Sequence, residues 1–262
     1  MLNQKSNSRL LYHYTSAETL FLILEKMRLK VSKYQDANDL SEVVKYLNID
    51  PFKSVATSKF IKEQCGYISF SRDSFWYEKG YKYPKNGDSI PTMWAYYANS
   101  NRGACIVIDE AKLKATNKRV LNTSWLQNIT YKRFVRKDEI EDKGISPEEI
   151  IKTYHNKLFF CKQKSWAHEH ERRLCIVNPP EFLSIKDCIV QIVLGNRFEN
   201  SNMLKLVSML SNQDLECFNQ LNRYNFLLQS DSDGVSLPID DPFIRVETDI
   251  ERINTFLEPS SI

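Results

Sequence analysis

The 262-residue chain reads as an α+β fold, and three observations lead there. Short apolar runs bounded by turn residues recur: Tyr67 to Ser71, Ala104 to Ile108, and Leu174 to Val177 ahead of Pro179-Pro180, all of strand length. Segments with helical spacing and helix-start signals lie between them, most clearly Ser146-Pro147-Glu148-Glu149, where Ser146 caps and Glu149 closes a capping box. Hydrophobic residues at 42% and charged residues at 26% are the composition of a chain with a buried core, which excludes wholesale disorder.

Composition bounds the setting. No stretch approaches the roughly 18 uninterrupted apolar residues of a membrane helix. Met1 to Ser8 is polar and lacks the apolar core of a secretion signal, so a cytosolic protein without membrane attachment is expected. The 36 Lys and Arg against 33 Asp and Glu leave a net charge of +3, which neither demands nor forbids nucleic acid. Six cysteines form no C-x-x-C pair and read as buried thiols in a reducing compartment. One domain over 1–262 is the simplest account, with a core of about 10–229 and an acidic, polar tail from Ser230 to Ile262.

Leu10 to Tyr14 reads as a first strand, with Leu11, His13 and Thr15 on one face and Tyr12 and Tyr14 on the other. A helix follows, with Thr15-x-x-Glu18 as a capping box and Leu20, Leu24 and Met27 at helical spacing. His13 therefore stands where a strand hands over to a helix N-terminus, a place that favours an anion; a histidine satisfied by backbone is the plainer reading. Leu40 to Leu47 suggests a second helix, and Lys53 to Gln64 is ambiguous. In the strand Tyr67 to Ser71, Ser69 and Ser71 share a side.

Phe75 to Pro91, with its glycines, prolines and aromatics, reads as a long irregular loop. A short helix over Thr92 to Asn99 carries Trp94, Tyr96 and Tyr97, for which a core-anchor role is the alternative. Gly103 to Asp109 is a strand buried on both faces, and Gln127 to Phe134 another. The Ser146 helix presents Ile150, Tyr154 and Leu158. Cys188 to Leu194 is a strand closed by Gly195, and Met203 to Leu210 a helix with Leu204, Val207 and Leu210 inward. Leu215 to Leu221 and Phe226 to Gln229 complete the strands.

The chemistry concentrates at Lys164 to Val177, where Trp166-Ala167-His168-Glu169-His170-Glu171-Arg172 runs into the apolar strand. Strand alternation from Glu169 onward puts Glu169 and Glu171 on one face, and His168, His170 and Arg172 on the other. A solvated edge, salt-bridged by Arg172 and Arg173, explains the paired acids without any activity. Seven dispersed glycines form neither G-x-G-x-x-G nor a Walker A loop, and G-x-S-x-G and H-E-x-x-H are missing.

Trp-x-x-Glu-x-Glu-Arg late in the chain, Leu11-Tyr12-His13-Tyr14-Thr15-Ser16 near its start and Met93-Trp94-Ala95-Tyr96-Tyr97-Ala98 between them occur in the order of a bacterial domain family. The chain resembles that uncharacterised family, which is grouped with the ADP-ribosyltransferases. The resemblance implies a split mixed β-sheet core flanked by helices and NAD as co-substrate. It also implies transfer of ADP-ribose to a macromolecular acceptor, protein or nucleic acid, in a toxin or antiphage role with an inhibitory antitoxin as partner.

By the same resemblance, Glu171 holds the ribose 2′-hydroxyl and stabilises the sugar cation, and Glu169 orients or deprotonates the acceptor. His13, Tyr14 and Thr15 belong to the NAD-binding block, Ser69 and Ser71 to the edge beside the nicotinamide ribose, and Trp94 and Tyr97 to the aromatic block, where Tyr97 stacks on nicotinamide. No metal enters this scheme. Two other classes compete. One is a metal-dependent nuclease or hydrolase using His168, His170, Glu169 and His13. The other is a non-catalytic nucleic-acid- or protein-binding module built on Tyr77 to Tyr83 and the basic Lys132 to Lys137.

Overall fold

The computed structural model describes residues 9–37, 51–79, 81–133, 146–211 and 244–246. In chain order these form β1 (Leu10–Thr15), α1 (Ala17–Lys26), β2 (Arg28–Lys30), β3 (Ser32–Lys33), α2 (Pro51–Gln64), β4 (Cys65–Ser71), β5 (Ser74–Glu78) and β6 (Tyr81–Lys85). There follow α3 (Pro91–Tyr96), β7 (Ala104–Asp109), α4 (Glu110–Thr116), α5 (Lys118–Leu121), β8 (Ser124–Asn128), β9 (Thr130–Lys132), α6 (Pro147–Phe159) and β10 (Cys161–Gln163). The rest are β11 (Glu171–Val177), β12 (Phe182–Ser184), β13 (Ile189–Leu194), α7 (Asn200–Ser211) and β14 (Ile244–Val246). The fold is α+β, with mostly antiparallel pairing and flanking helices, as the sequence predicts. The helix expected over Leu40 to Leu47 and the strands expected over Leu215 to Leu221 and Phe226 to Gln229 lie outside the described residues.

Two compact units interleave along the chain, one from 1–27, 75–116 and 185–262, the other from 28–74 and 117–184. In the first, β1 and β13 flank β7, both antiparallel to it, and β14 adds to β13. All six residues of β7 are buried, as its unbroken apolar run requires. The tail is thus not wholly loose, since Ile244–Val246 pairs with Ile192 to Leu194. Ser16, not Thr15, caps α1 by accepting from the Thr19 N–H, because β1 runs one residue further than its apolar pattern suggests. Among the described side chains of α7, Leu206 is buried and Leu204 exposed.

Phe75 to Pro91 is not an irregular loop: β5 and β6 form a two-stranded sheet, turning at Lys79 with a left-handed backbone. The segment after it is pinned. Tyr14 Oη donates to the Gly87 carbonyl at 2.7 Å, and Trp94 Nε1 donates to the Asp88 carbonyl at 2.6 Å. Any Cβ on Gly87 would fall 2.2 Å from the Tyr12 ring, so only glycine lets that ring lie against the backbone.

In the second unit, β11 lies between β4 and β8, antiparallel to both. Helices α2 and α6 supply its apolar side with Ile61, Ile150, Ile151, Leu158 and Phe159 around Tyr34 and Cys175. Lys53 to Gln64, ambiguous in sequence, is helical throughout. The strand expected from Gln127 to Phe134 breaks at Ile129 into β8 and β9, and β9 pairs in parallel with β10. Ser146 and Glu149 form the capping box of α6, whose backbone leaves helical geometry at Tyr154.

A buried charge cluster as candidate functional site

The strand expected from Glu169 begins two residues later. Lys164–Glu169 is a 3-10 turn, His170 takes a left-handed backbone (φ 45°), and β11 starts at Glu171. Strand alternation therefore does not bring the two glutamates together; a shared lysine does. Lys162, on β10, donates from Nζ to Glu169 Oε2 at 2.7 Å and to Glu171 Oε2 at 3.1 Å. Ser71 Oγ, on β4, donates to the Glu169 carbonyl at 2.8 Å and fixes the turn that presents it.

Glu171 also receives Arg173, two residues along the strand and so on its face, through Nε to Oε1 at 2.6 Å and Nη2 to Oε2 at 3.0 Å. Ser69 Oγ donates to Oε1 at 2.5 Å from the neighbouring strand, where Arg173 is opposite Ser69. The Glu171 N–H is accepted by Tyr131 Oη at 2.8 Å. Arg173 is further held by the Phe159 carbonyl at 3.1 Å and lies 4.9 Å from the Tyr67 ring centroid. The Lys162 ammonium lies 4.9 Å from that of Trp166.

This cluster is interior. Glu171 is 2% exposed, Arg173 1%, Glu169 4% and Lys162 6%, so the solvated edge suggested by the sequence is not what these acids form. Two cations and two anions balance, which is what makes burial of four charges tolerable. Burial by itself pushes the pKa of Glu171 up, but the charges of Arg173 and Lys162 and hydrogen bonds from Arg173 and Ser69 outweigh it, bringing its pKa down to about 2. Glu171 is thus a fixed carboxylate at any physiological pH. Tyr131 is displaced upward, by burial first and by the negative charges of Glu171 and Glu169, so its phenol stays protonated.

The sequence-predicted residues fall into the two units. Glu169, Glu171, Ser69 and Ser71 converge in the second. His13, Tyr14, Thr15, Trp94 and Tyr97 are carried by the first. There Tyr14 and Trp94 meet edge to face at 5.1 Å between centroids, both buried with Ile90, Met93 and Cys105. Trp94 is a core anchor, the alternative that its sequence context offered. Tyr97 packs partly buried on the same cluster, and Tyr96 is exposed. Thr15 is buried at the end of β1, where a Cβ on Gly103 would meet its carbonyl oxygen at 2.0 Å. His13 is half-buried opposite Ile106.

Lys162, Arg173 and Tyr131 complete the cluster. Arg173 was legible as an ionic partner, and its two-residue offset from Glu171 gives the shared face. Lys162 carries no such signal, since it reaches the acids from another element. His168 and His170 stand on a 3-10 turn and a left-handed residue, not on one strand face, and His168 Nδ1 is 3.0 Å from the Ser165 carbonyl. Among the described residues no three His, Cys, Asp or Glu side chains gather to hold a metal ion. Also among them, no helix is long and apolar enough to cross a membrane.

Residues 93–174, which include Trp94 and both glutamates, match a family described as a protein of unknown function (DUF2971). No curated protein and no solved structure matches the chain.

Proposed function

We propose that this chain is an NAD-dependent ADP-ribosyltransferase, with Glu171 as the acid that stabilises the ribosyl cation. The observation that supports this most is the hydrogen bond from Ser69 to an ionised Glu171: the serine edge meets the second acid of Glu-x-Glu at its carboxylate. As the bond from ribose C1 to nicotinamide breaks, nicotinamide leaves neutral with the bond pair and the sugar becomes an oxocarbenium ion. A carboxylate that accepts from the ribose 2′-hydroxyl lowers that barrier, and its removal costs about 3 kcal/mol, roughly a hundredfold in rate.

Four donor groups now fill the Glu171 carboxylate, and Ser69 is the uncharged and more exposed one. A ribose hydroxyl would replace Ser69, while Arg173 and Lys162 keep the acid ionised. Glu169, tied to the same lysine, would orient the acceptor. The NAD-binding roles of His13, Tyr14, Thr15, Ser71 and Tyr97, the cytosolic toxin or antiphage setting and an inhibitory antitoxin partner come from the sequence resemblance.

The test is incubation with adenylate-labelled NAD and a bacterial lysate, followed by assay of free nicotinamide and of label in protein, RNA and DNA fractions. The proposal expects nicotinamide release with label in one macromolecular fraction. Intact NAD in every fraction refutes it.

A further inference from the structure

The β5–β6 hairpin has a composition unlike the rest of the chain. From Ser74 to Lys85 it holds five aromatic residues, three lysines and one glutamate, and no aliphatic side chain apart from Pro84. Phe75 is 53% exposed and Tyr81 68%, on a two-stranded element separate from the larger sheet. The Lys82 ammonium lies 3.7 Å from the Phe75 ring centroid. The segment that follows is anchored by Tyr14 and Trp94 through the carbonyls of Gly87 and Asp88, so the hairpin rises from a fixed base. Nothing in the fold's own packing calls for exposed rings here; a core would bury them.

We infer that this hairpin binds single-stranded nucleic acid, with Phe75 and Tyr81 as stacking surfaces and Lys79, Lys82 and Lys85 as phosphate partners. Rings are sequence-tolerant platforms for unpaired bases, and lysines interleaved with them supply the positive charge that a phosphate backbone needs. A phosphate would draw Lys82 off the Phe75 ring and leave that face to a base. The composition disfavours the other occupants. A protein partner is disfavoured by the three lysines among the rings, since the cores of protein interfaces are depleted in lysine. A membrane would have to take in the ammonium that lies on the Phe75 ring. The inference does not depend on the chemistry at Glu171; if both hold, the strand bound here is the acceptor class.

Fluorescence anisotropy of labelled oligothymidylate and oligouridylate, each about twenty nucleotides, tests it on the full chain. A duplex of the same length and phosphatidylserine vesicles run alongside. Binding of either strand in preference to the duplex is expected, and the stronger of the two identifies DNA or RNA. Phe75→Ala with Tyr81→Ala should weaken it about tenfold or more, with circular dichroism unchanged. Lys82→Gln should reduce the slope of log affinity against log salt by about 0.7. Binding that ignores the two ring substitutions, prefers duplex or vesicles, or is undetectable for both strands overturns the inference. Because this assay uses no NAD, its failure and that of the transferase reading are separable.

Discussion

Strands β7 and β11 are both interior, yet they are built from opposite materials. β7 is apolar from Ala104 to Ile108, a run whose burial follows from hydrophobic transfer, and it closes on Asp109, whose Oδ1 accepts from the Lys112 N–H at 2.9 Å. β11 opens Glu171-Arg172-Arg173, all buried, before it turns apolar at Leu174. Arg172 is met by Asn128 Oδ1 at 2.8 Å, and the other two by each other, Lys162 and Ser69. Apolar residues of similar volume would fill that end of the strand at no lower stability. This contrast is why the proposed activity is assigned to β11 and not to β7.

The contrast can be broken most sharply at Arg173. Arg173→Met leaves Glu171 buried beside one remaining cation, and urea unfolding should show a loss of about 3–5 kcal/mol. Adding Glu171→Gln should restore part of it, whereas a loss that simply adds would mean the two do not act as a pair.

Acid provides the next largest effect. The folded pKa of Glu171, about 2, lies below its ordinary 4.5, so its stabilisation is complete above pH 4.5 and fades as pH falls toward 2. That amounts to about 3 kcal/mol, read from denaturation midpoints across that window. In Glu171→Gln this part of the acid sensitivity should vanish. No substitution within apolar Cys105 to Ile108 should alter it.

Trp94→Phe, which removes the buried donor to the Asp88 carbonyl but keeps a ring beside Tyr14, should cost about 2 kcal/mol by the same unfolding assay. Ser69→Ala removes a neutral donor from the ionised Glu171 and, at a half-buried site, should cost about 1.5 kcal/mol. A larger loss at Ser69 than at Arg173 would invert the account of what holds the acid.

How much was legible follows the same division. Elements built by apolar burial or local capping, β7, β13 and the Ser146 start of α6, stand close to where the sequence predicts them. The β5–β6 hairpin was hidden because its glycine and proline residues carry loop signals, although Pro84 stands in a short strand of a two-stranded sheet, which tolerates it. The start of β11 was displaced because His170 takes a left-handed backbone, which a non-glycine residue does not announce. The two acids were found, but the reason they converge was not: Lys162 arrives on β10 from a tertiary path that no spacing encodes.

The central claim, that an ionised Glu171 serves a sugar cation and not only its neighbours, rests most directly on the rate of nicotinamide release from NAD by Glu171→Gln against the unaltered chain. Both proteins are first matched by circular dichroism. A fall of about a hundredfold with the fold retained is the predicted result. Equal rates in two folded proteins, or no release from the unaltered chain, would contradict it.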